Sequence, residues 1–248
     1  MRKFAIILFS LLVNSAMIHA EKADPASKSC TDSCLCKGMV LHLPLDGGSL
    51  EDVSGKSVES TLYEAVPGKG EFADSYWFDG IDDYIRIADF DYGPFFTVSF
   101  WFNSDDNSGA LYQYMFSHGV HHRPNCCNLY FVEDDNEDSG GKVKINVMDE
   151  NDPDPKTLFT SRKGFSDGNW HLFSASVNKD GTTIYIDGEI IKSAGWGGDT
   201  IDCKGDIIIG SRHDLMVDRS YKGYLDDIRV YDRSLTQDDI KALLKKGR

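Results

Sequence analysis

Three stretches of this 248-residue chain concentrate side chains that can do chemistry. Residues 133–154 hold nine carboxylates and only two basic residues, Lys142 and Lys144. Within them Glu133, Asp135 and Glu137 alternate, a spacing that puts three carboxylates on one side of a strand for acid–base work. The intervening Asp134 and Asn136, and the Asp138-Ser139-Gly140-Gly141 that follows, are loop formers. The run therefore reads as a solvated acidic loop and not as a catalytic strand. Its tail, Asp149, Asn151, Asp152 and Asp154, offers the oxygen donors that hard Ca²⁺ takes. The second stretch brings His118, His121 and His122 close to Cys126 and Cys127. Imidazole and thiolate together suit Zn²⁺ or Cu²⁺, and His121 and His122 on a loop suit contact with a ligand. The third sets Trp196 among glycines (Gly195, Gly197, Gly198), an aromatic able to stack on a sugar ring. One further carboxylate, Asp226, lies in the alternating segment 224–231 with the parity of Ile228 and Val230. It is expected to face the apolar interior, where a carboxylate needs a partner or a metal.

The elements that must position these groups are strands. Hydrophobic residues make up 41 % of the chain and aromatics 12 %, enough for a packed core, so disorder is excluded as the main state. With 26 Lys plus Arg against 40 Asp plus Glu the net charge is −14, which excludes a reader of nucleic-acid phosphates and suits divalent cations or cationic partners. Short alternating segments at 40–45, 84–87, 96–102, 142–148, 172–177, 182–186, 189–191, 206–209 and 224–231 are broken by Gly, Asp and Asn, the pattern of an all-β sandwich. Asp187-Gly188 marks a hairpin turn. One helix is expected near the C-terminus, with Thr236 as N-cap, Asp239 as the capping-box acid, and Ile240, Leu243 and Leu244 as its apolar stripe.

The first twenty residues stand apart. Arg2 and Lys3 precede a ten-residue apolar run at 4–13, and Ala20 offers a small residue for cleavage. Residues 1–20 read as a signal peptide, residues 21–38 as a cysteine-containing arm, and residues 39–248 as one domain, secreted and extracellular, with no segment for membrane insertion. In that compartment the six cysteines, Cys30, Cys34, Cys36, Cys126, Cys127 and Cys203, read as disulfide-forming. Fifteen pairings remain open. At least one bridge from Cys30, Cys34 or Cys36 to Cys126, Cys127 or Cys203 is expected, fastening the arm to the domain.

Five segments in order then resemble a known family: Leu45-Asp46-Gly47-Gly48 and its continuation to Gly55, the WFDGIDDYIRI of 77–87, the FTVSFWF of 96–102, the DGNWHLFSASVNKDGTTIYIDG of 167–188, and the GYLDDIRVYDRSLTQDDIKALL of 223–244. Together they resemble the concanavalin A-like jelly rolls of the laminin-G and pentraxin group across residues 39–246. The resemblance implies an all-β, two-sheet antiparallel jelly-roll sandwich with one short C-terminal helix. It further implies a structural Ca²⁺ held by Asp226, by Asp46, and by a backbone carbonyl at Gly80. The function implied is a secreted, calcium-dependent binding module for carbohydrate or a cell-surface glycoconjugate. Two alternatives stay open: an adhesion module with a protein partner and purely structural calcium, and a polysaccharide-degrading enzyme.

Overall fold

Alternation between apolar and polar side chains builds two antiparallel sheets that bury one common core. The computed structural model describes residues 35–104, 112–119, 126–132, 142–148, 156–160, 164–195 and 203–246. Along them run β1 (Met39–Leu43), β2 (Thr61–Tyr63), β3 (Val66–Lys69), β4 (Asp74–Asp79), β5 (Tyr84–Asp91), β6 (Phe96–Asn103), β7 (Tyr112–His118), β8 (Cys126–Val132), β9 (Lys142–Met148), β10 (Lys156–Phe159), β11 (His171–Asn178), β12 (Gly181–Ile186), β13 (Glu189–Ala194), β14 (Lys204–Ile209), β15 (Lys222–Tyr231) and the helix α1 (Gln237–Lys246). The eight-stranded sheet has the order β13-β12-β11-β6-β15-β4-β3, with β1 also paired to β15. The seven-stranded sheet has the order β10-β9-β8-β7-β14-β5-β2. This is the jelly-roll sandwich that the sequence pattern implies.

The core lies between the sheets. Phe96, Val98, Phe100 and Phe102 of β6 meet Ile85 and Ile87 of β5, Leu129 of β8, and Val143, Ile145 and Val147 of β9. A second apolar layer covers the outer face of the eight-stranded sheet, where Ile240 and Leu243 of α1 pack with Trp101, Leu172, Tyr185 and Tyr231. The helix begins as its sequence predicts. Asp239 N–H donates to Thr236 Oγ1 at 3.2 Å, and Thr236 N–H donates to Asp239 Oδ2 at 3.0 Å, a reciprocal capping box. Asp187 and Gly188 take positive φ of 52° and 77° and close the β12–β13 hairpin. Among the described residues no helix is long and apolar enough to cross a membrane.

Cys127 and Cys203 take no part in the expected staple. Cys36 is disulfide-bonded, and its neighbours Leu35 and Met39 belong to the helix-side layer outside the eight-stranded sheet. Cys127 and Cys203 are thiols, both buried in the inter-sheet core beside the Tyr92 hydroxyl. The intact eight-stranded sheet stands between the two places, so Cys36 cannot reach either sulfur. Cys30 and Cys34 lie outside the described residues, as does the Cys126 side chain.

Candidate functional site

The Asp226 carboxylate is buried but does not face the core. β15 pairs Asp226 with Trp101 and then Arg229 with Ser99, so two residues of β15 stand opposite Phe100 alone. This bulge falls where β15 exchanges β4 for β1 as its neighbour, and Asp227 within it has φ 52°. One extra residue reverses the parity. Ile228 and Val230 point inward, whereas Asp226 shares the outer side with Trp101. The expectation that Asp226 faces the apolar interior is therefore corrected. The bulge also buries a charge cluster: Asp227 accepts from His42 Nε2 at 2.7 Å and pairs with Arg229 at 2.7 Å. Burial lowers the His42 pKa, opposed by its hydrogen bond to Asp227.

On the outer side, Asp226 receives the Glu71 amide at 3.2 Å, from the turn between β3 and β4. Asp46 receives the Asp74 amide at 3.2 Å, and Asp74 receives the Gly47 amide at 2.9 Å. The turn thus ties Asp46 and Asp226 to one short segment. Gly70 joins them: a Cβ there would collide with both the Asp74 carbonyl and the Asp226 carboxylate. The Asp74 carbonyl and the Asp226 carboxylate thus meet at a residue that must be glycine, oxygen donors of the kind a hard cation takes, although Asp46, Asp74 and Asp226 do not bring three carboxylates within 4.8 Å of one another. Gly80 is not part of it. It follows Asp79 at the far end of six-residue β4, roughly 17 Å from Asp74, and packs against the Lys222 side chain. The implied trio of Asp46, Asp226 and Gly80 therefore does not converge. Gly80 instead sits in a separate acidic turn, where one carboxylate oxygen each from Asp79, Asp82 and Asp83 lies within 4.8 Å of the others. Burial raises the Asp83 pKa there.

The outer face of the seven-stranded sheet carries a second arrangement. Tyr114 of β7 lies opposite Tyr130 of β8, and their rings stack at 4.4 Å. Tyr112 packs on Tyr130 edge-on at 5.7 Å. Asn146 donates to the Tyr130 hydroxyl at 2.8 Å, and Ser117 donates to Asn128 at 2.6 Å. Burial raises the Tyr114 pKa to about 12 and pushes that of Tyr130 higher still. Arg219 covers Tyr112 at 4.9 Å, and Arg212 approaches Tyr114 at 5.9 Å. Lys144 of β9 sits over Tyr130 at 5.2 Å. On the same face, separated from β7 only by β14, Tyr84 of β5 stacks on Tyr63 of β2 at 4.2 Å, and Tyr63 is 36 % exposed. The nearest strands of the two tyrosine stacks, β7 and β5, thus stand about 10 Å apart across one sheet face, the width of two strand spacings. Sequence reading passed over this site. Its only signal was the tyrosines Tyr112, Tyr114 and Tyr130 at even spacing within two strands that polar residues disguised.

His118, expected as part of a soft-metal cluster, is a buried link between strands. Its Nε2–H donates to the carbonyls of Phe90 at 2.9 Å and Gly205 at 3.1 Å, while Nδ1 has no hydrogen-bond partner. Among the described residues, His118 and Cys127 belong to no group of three potential metal ligands. Burial drops the His118 pKa to about 4. The unfolded chain takes up this proton near pH 6.5 and the native protein only near 4, so stability should fall as pH drops through that window. The loss from this residue should reach ~3 kcal/mol. Urea unfolding at pH 7.0 and pH 4.5 checks it: His118→Asn, though less stable throughout, should show a shallower decline. An unchanged slope would sink the assignment.

The ligand candidates His121, His122 and Trp196, the second metal candidates Asp149, Asn151, Asp152 and Asp154, and the alternating Glu133, Asp135 and Glu137 all lie outside the described residues.

Comparison with known proteins places this geometry. The sequence profile of the laminin-G type 3 family, described as the concanavalin A-like lectin/glucanases superfamily, matches residues 79–241. No curated protein sequence gives a significant match. Among solved structures, the chain resembles the binding domain of Paraclostridial Mosquitocidal Protein 1, with TM-score 0.69 and 18 % identity over 86 % of this chain and 53 % of that one. It also resembles domain 4 of a GH43 extracellular arabinanase from Geobacillus stearothermophilus in complex with arabinotriose, with TM-score 0.64 and 17 % identity over 84 % of this chain and 98 % of that one. A third is the botulinum neurotoxin serotype D ligand-binding domain in complex with N-acetylneuraminic acid, with TM-score 0.66 and 16 % identity over 85 % and 51 %. The chain spans about half the length of the two toxin domains and nearly all of the arabinanase domain. At these identities the likeness is one of fold.

Proposed function

Since the chain belongs to the concanavalin A-like lectin/glucanases superfamily through its laminin-G type 3 match, we propose that it is a carbohydrate-binding module whose binding face is the outer side of the seven-stranded sheet. The observation that carries this reading is that Tyr63, stacked on Tyr84, and the half-buried Tyr112 reach the surface of one face beside Arg212, above the buried Tyr114–Tyr130 stack that supports them. Aromatic faces take up the apolar side of a pyranose or furanose ring, and guanidinium groups take up its hydroxyls. The arabinotriose and N-acetylneuraminic acid complexes of two structural neighbours agree with a glycan or glycoconjugate as partner. In this reading Ca²⁺, held by Asp46, Asp226 and the Asp74 carbonyl, is structural and braces the β3–β4 turn. The protein acts outside the cell, with residues 1–20 removed on export; N-terminal sequencing of exported protein should begin at Glu21.

A glycan array followed by calorimetry tests the binding face. Tyr63→Ala and Tyr112→Ala should each weaken the best glycan about tenfold, a loss of about 1.4 kcal/mol. Retained affinity in both variants would remove this face from the proposal. One observation favours a protein partner instead: Leu215, Met216 and Val217 form an exposed apolar turn, 42, 45 and 59 % accessible, next to Arg219. A silent glycan array together with partner capture lost in Met216→Asp would select that reading.

A further inference from the structure

Three cations cluster on one tyrosine patch of a chain whose net charge is −14. They are not equally engaged. Arg212 is held in a fork by Asp214, at 2.8 and 2.6 Å. Arg219 has no such fork. Its carboxylate neighbour is the exposed Asp218 at 3.5 Å, and its Nε is buried with no hydrogen-bond partner. Its position is fixed by the fold, because the adjacent Ser220 bridges to Tyr114 and donates to the Ile81 carbonyl at 3.0 Å. Lys144 stands on the same aromatic group, 6.0 Å from the Tyr112 ring that Arg219 covers at 4.9 Å. Two positive charges thus share one half-buried ring, and the Arg219 side chain is 19 % accessible with its Nε turned inward.

We infer that Arg219, with Lys144, receives the carboxylate of an acidic saccharide, so that the ligand class of this face is glycans bearing uronic or sialic acid. This rests on the carbohydrate reading above and narrows it. The chemistry is that of a planar guanidinium meeting a planar carboxylate through two parallel N–H donors, beside a ring that takes the sugar's apolar side. The exposed Asp218 would be displaced from its long contact, not broken from a close pair. Both uronate and sialate supply the same group, and the two sources are separable by experiment.

The test measures affinity of the full chain for trigalacturonate against its carboxyl-reduced counterpart, and for sialyllactose against lactose, at low and at 0.5 M salt (roughly a 4 Å screening length at the latter). In at least one pair the acidic sugar should bind about tenfold or more tightly, and that preference should shrink in high salt; the winning pair names the source. Arg219→Gln should bring the preference close to one, and Arg219→Lys should restore part of it. Unfolding curves for both variants verify that they fold, and Lys144→Gln, which should lower the preference in the same direction, gives an independent readout. Neutral sugars bound as well as acidic ones, or an acid preference indifferent to both Arg219→Gln and Lys144→Gln, would overturn the inference and leave the carbohydrate reading standing. No binding of any sugar would overturn both.

Discussion

Arg229→Met should lower the unfolding free energy by about 3–5 kcal/mol, which for a domain of this size is a fall in melting temperature of roughly 10 °C. Arg229 and Asp227 are 6 % and 1 % exposed and pair at 2.7 Å, so removing the guanidinium leaves a carboxylate in the interior beside His42 without its cationic partner. His42 makes the loss depend on pH. In the native protein Arg229 helps to hold the His42 pKa below its usual value. Without Arg229 the imidazole gains a proton to neutralise Asp227, and its folded pKa rises. A raised pKa contributes stability that is fully present below the unfolded value of about 6.5 and lost as pH climbs through the folded pKa. The variant should therefore be penalised less at pH 5.5 than at pH 8. Adding Asp227→Asn should recover most of the loss, because asparagine tolerates the φ of 52° and carries no charge to bury. Chemical denaturation of the three proteins at both pH values decides it, and a loss below about 1 kcal/mol would show that water reaches the bulge.

Calcium added to chelator-stripped protein should raise the melting temperature by roughly 8–16 °C at about a thousand times the dissociation constant. A ligand that binds only the native state then contributes about 4 kcal/mol. Asp226→Asn should abolish the shift and Asp46→Asn should shrink it, because both carboxylates are tied to the turn around Gly70. Asp82→Asn should leave it intact, since the Asp79–Asp82–Asp83 group lies at the opposite end of β4. The two acidic places thus have opposite expected answers. A shift lost in Asp82→Asn and kept in Asp226→Asn would move the calcium to the other turn, and no shift in stripped protein would remove it altogether. Magnesium should substitute poorly, since it demands a tighter octahedron and gives up its water reluctantly.

Much of the scaffold was legible before any coordinates. Segment 142–148 alternates polar and apolar side chains from Lys142 to Val147 and is β9 with those bounds. Thr236 and Asp239 announced the helix, and both of their capping bonds form. Two strands of the proposed binding face, β7 and β8, were not read as strands. Tyr112, Gln113, Tyr114, Ser117, Asn128 and Tyr130 put polar and aromatic groups where a half-buried strand would alternate cleanly, and the register shift between Tyr114 and Phe116 breaks the period. Such a face is covered and hydrogen-bonded without being apolar, so hydrophobic patterning is blind to it.

The residues by themselves determined the strand content, the capped helix and membership of a sandwich family, because period-two alternation, turn residues and caps act over a few positions of chain. Which carboxylates meet, and which tyrosines share a face, was decided only by the tertiary structure. Asp226 shows why: a single extra residue at Asp227 turns it from the core to the outer side, and that bulge exists because β15 changes neighbours there. Gly80 shows the same from the other direction, close to Asp74 in sequence yet a strand's length away. Tyr63 and Tyr114 are 51 positions apart in the chain, and strand order alone brings them onto one face. Register and strand order come from packing between distant segments, and no local pattern of side chains carries that information.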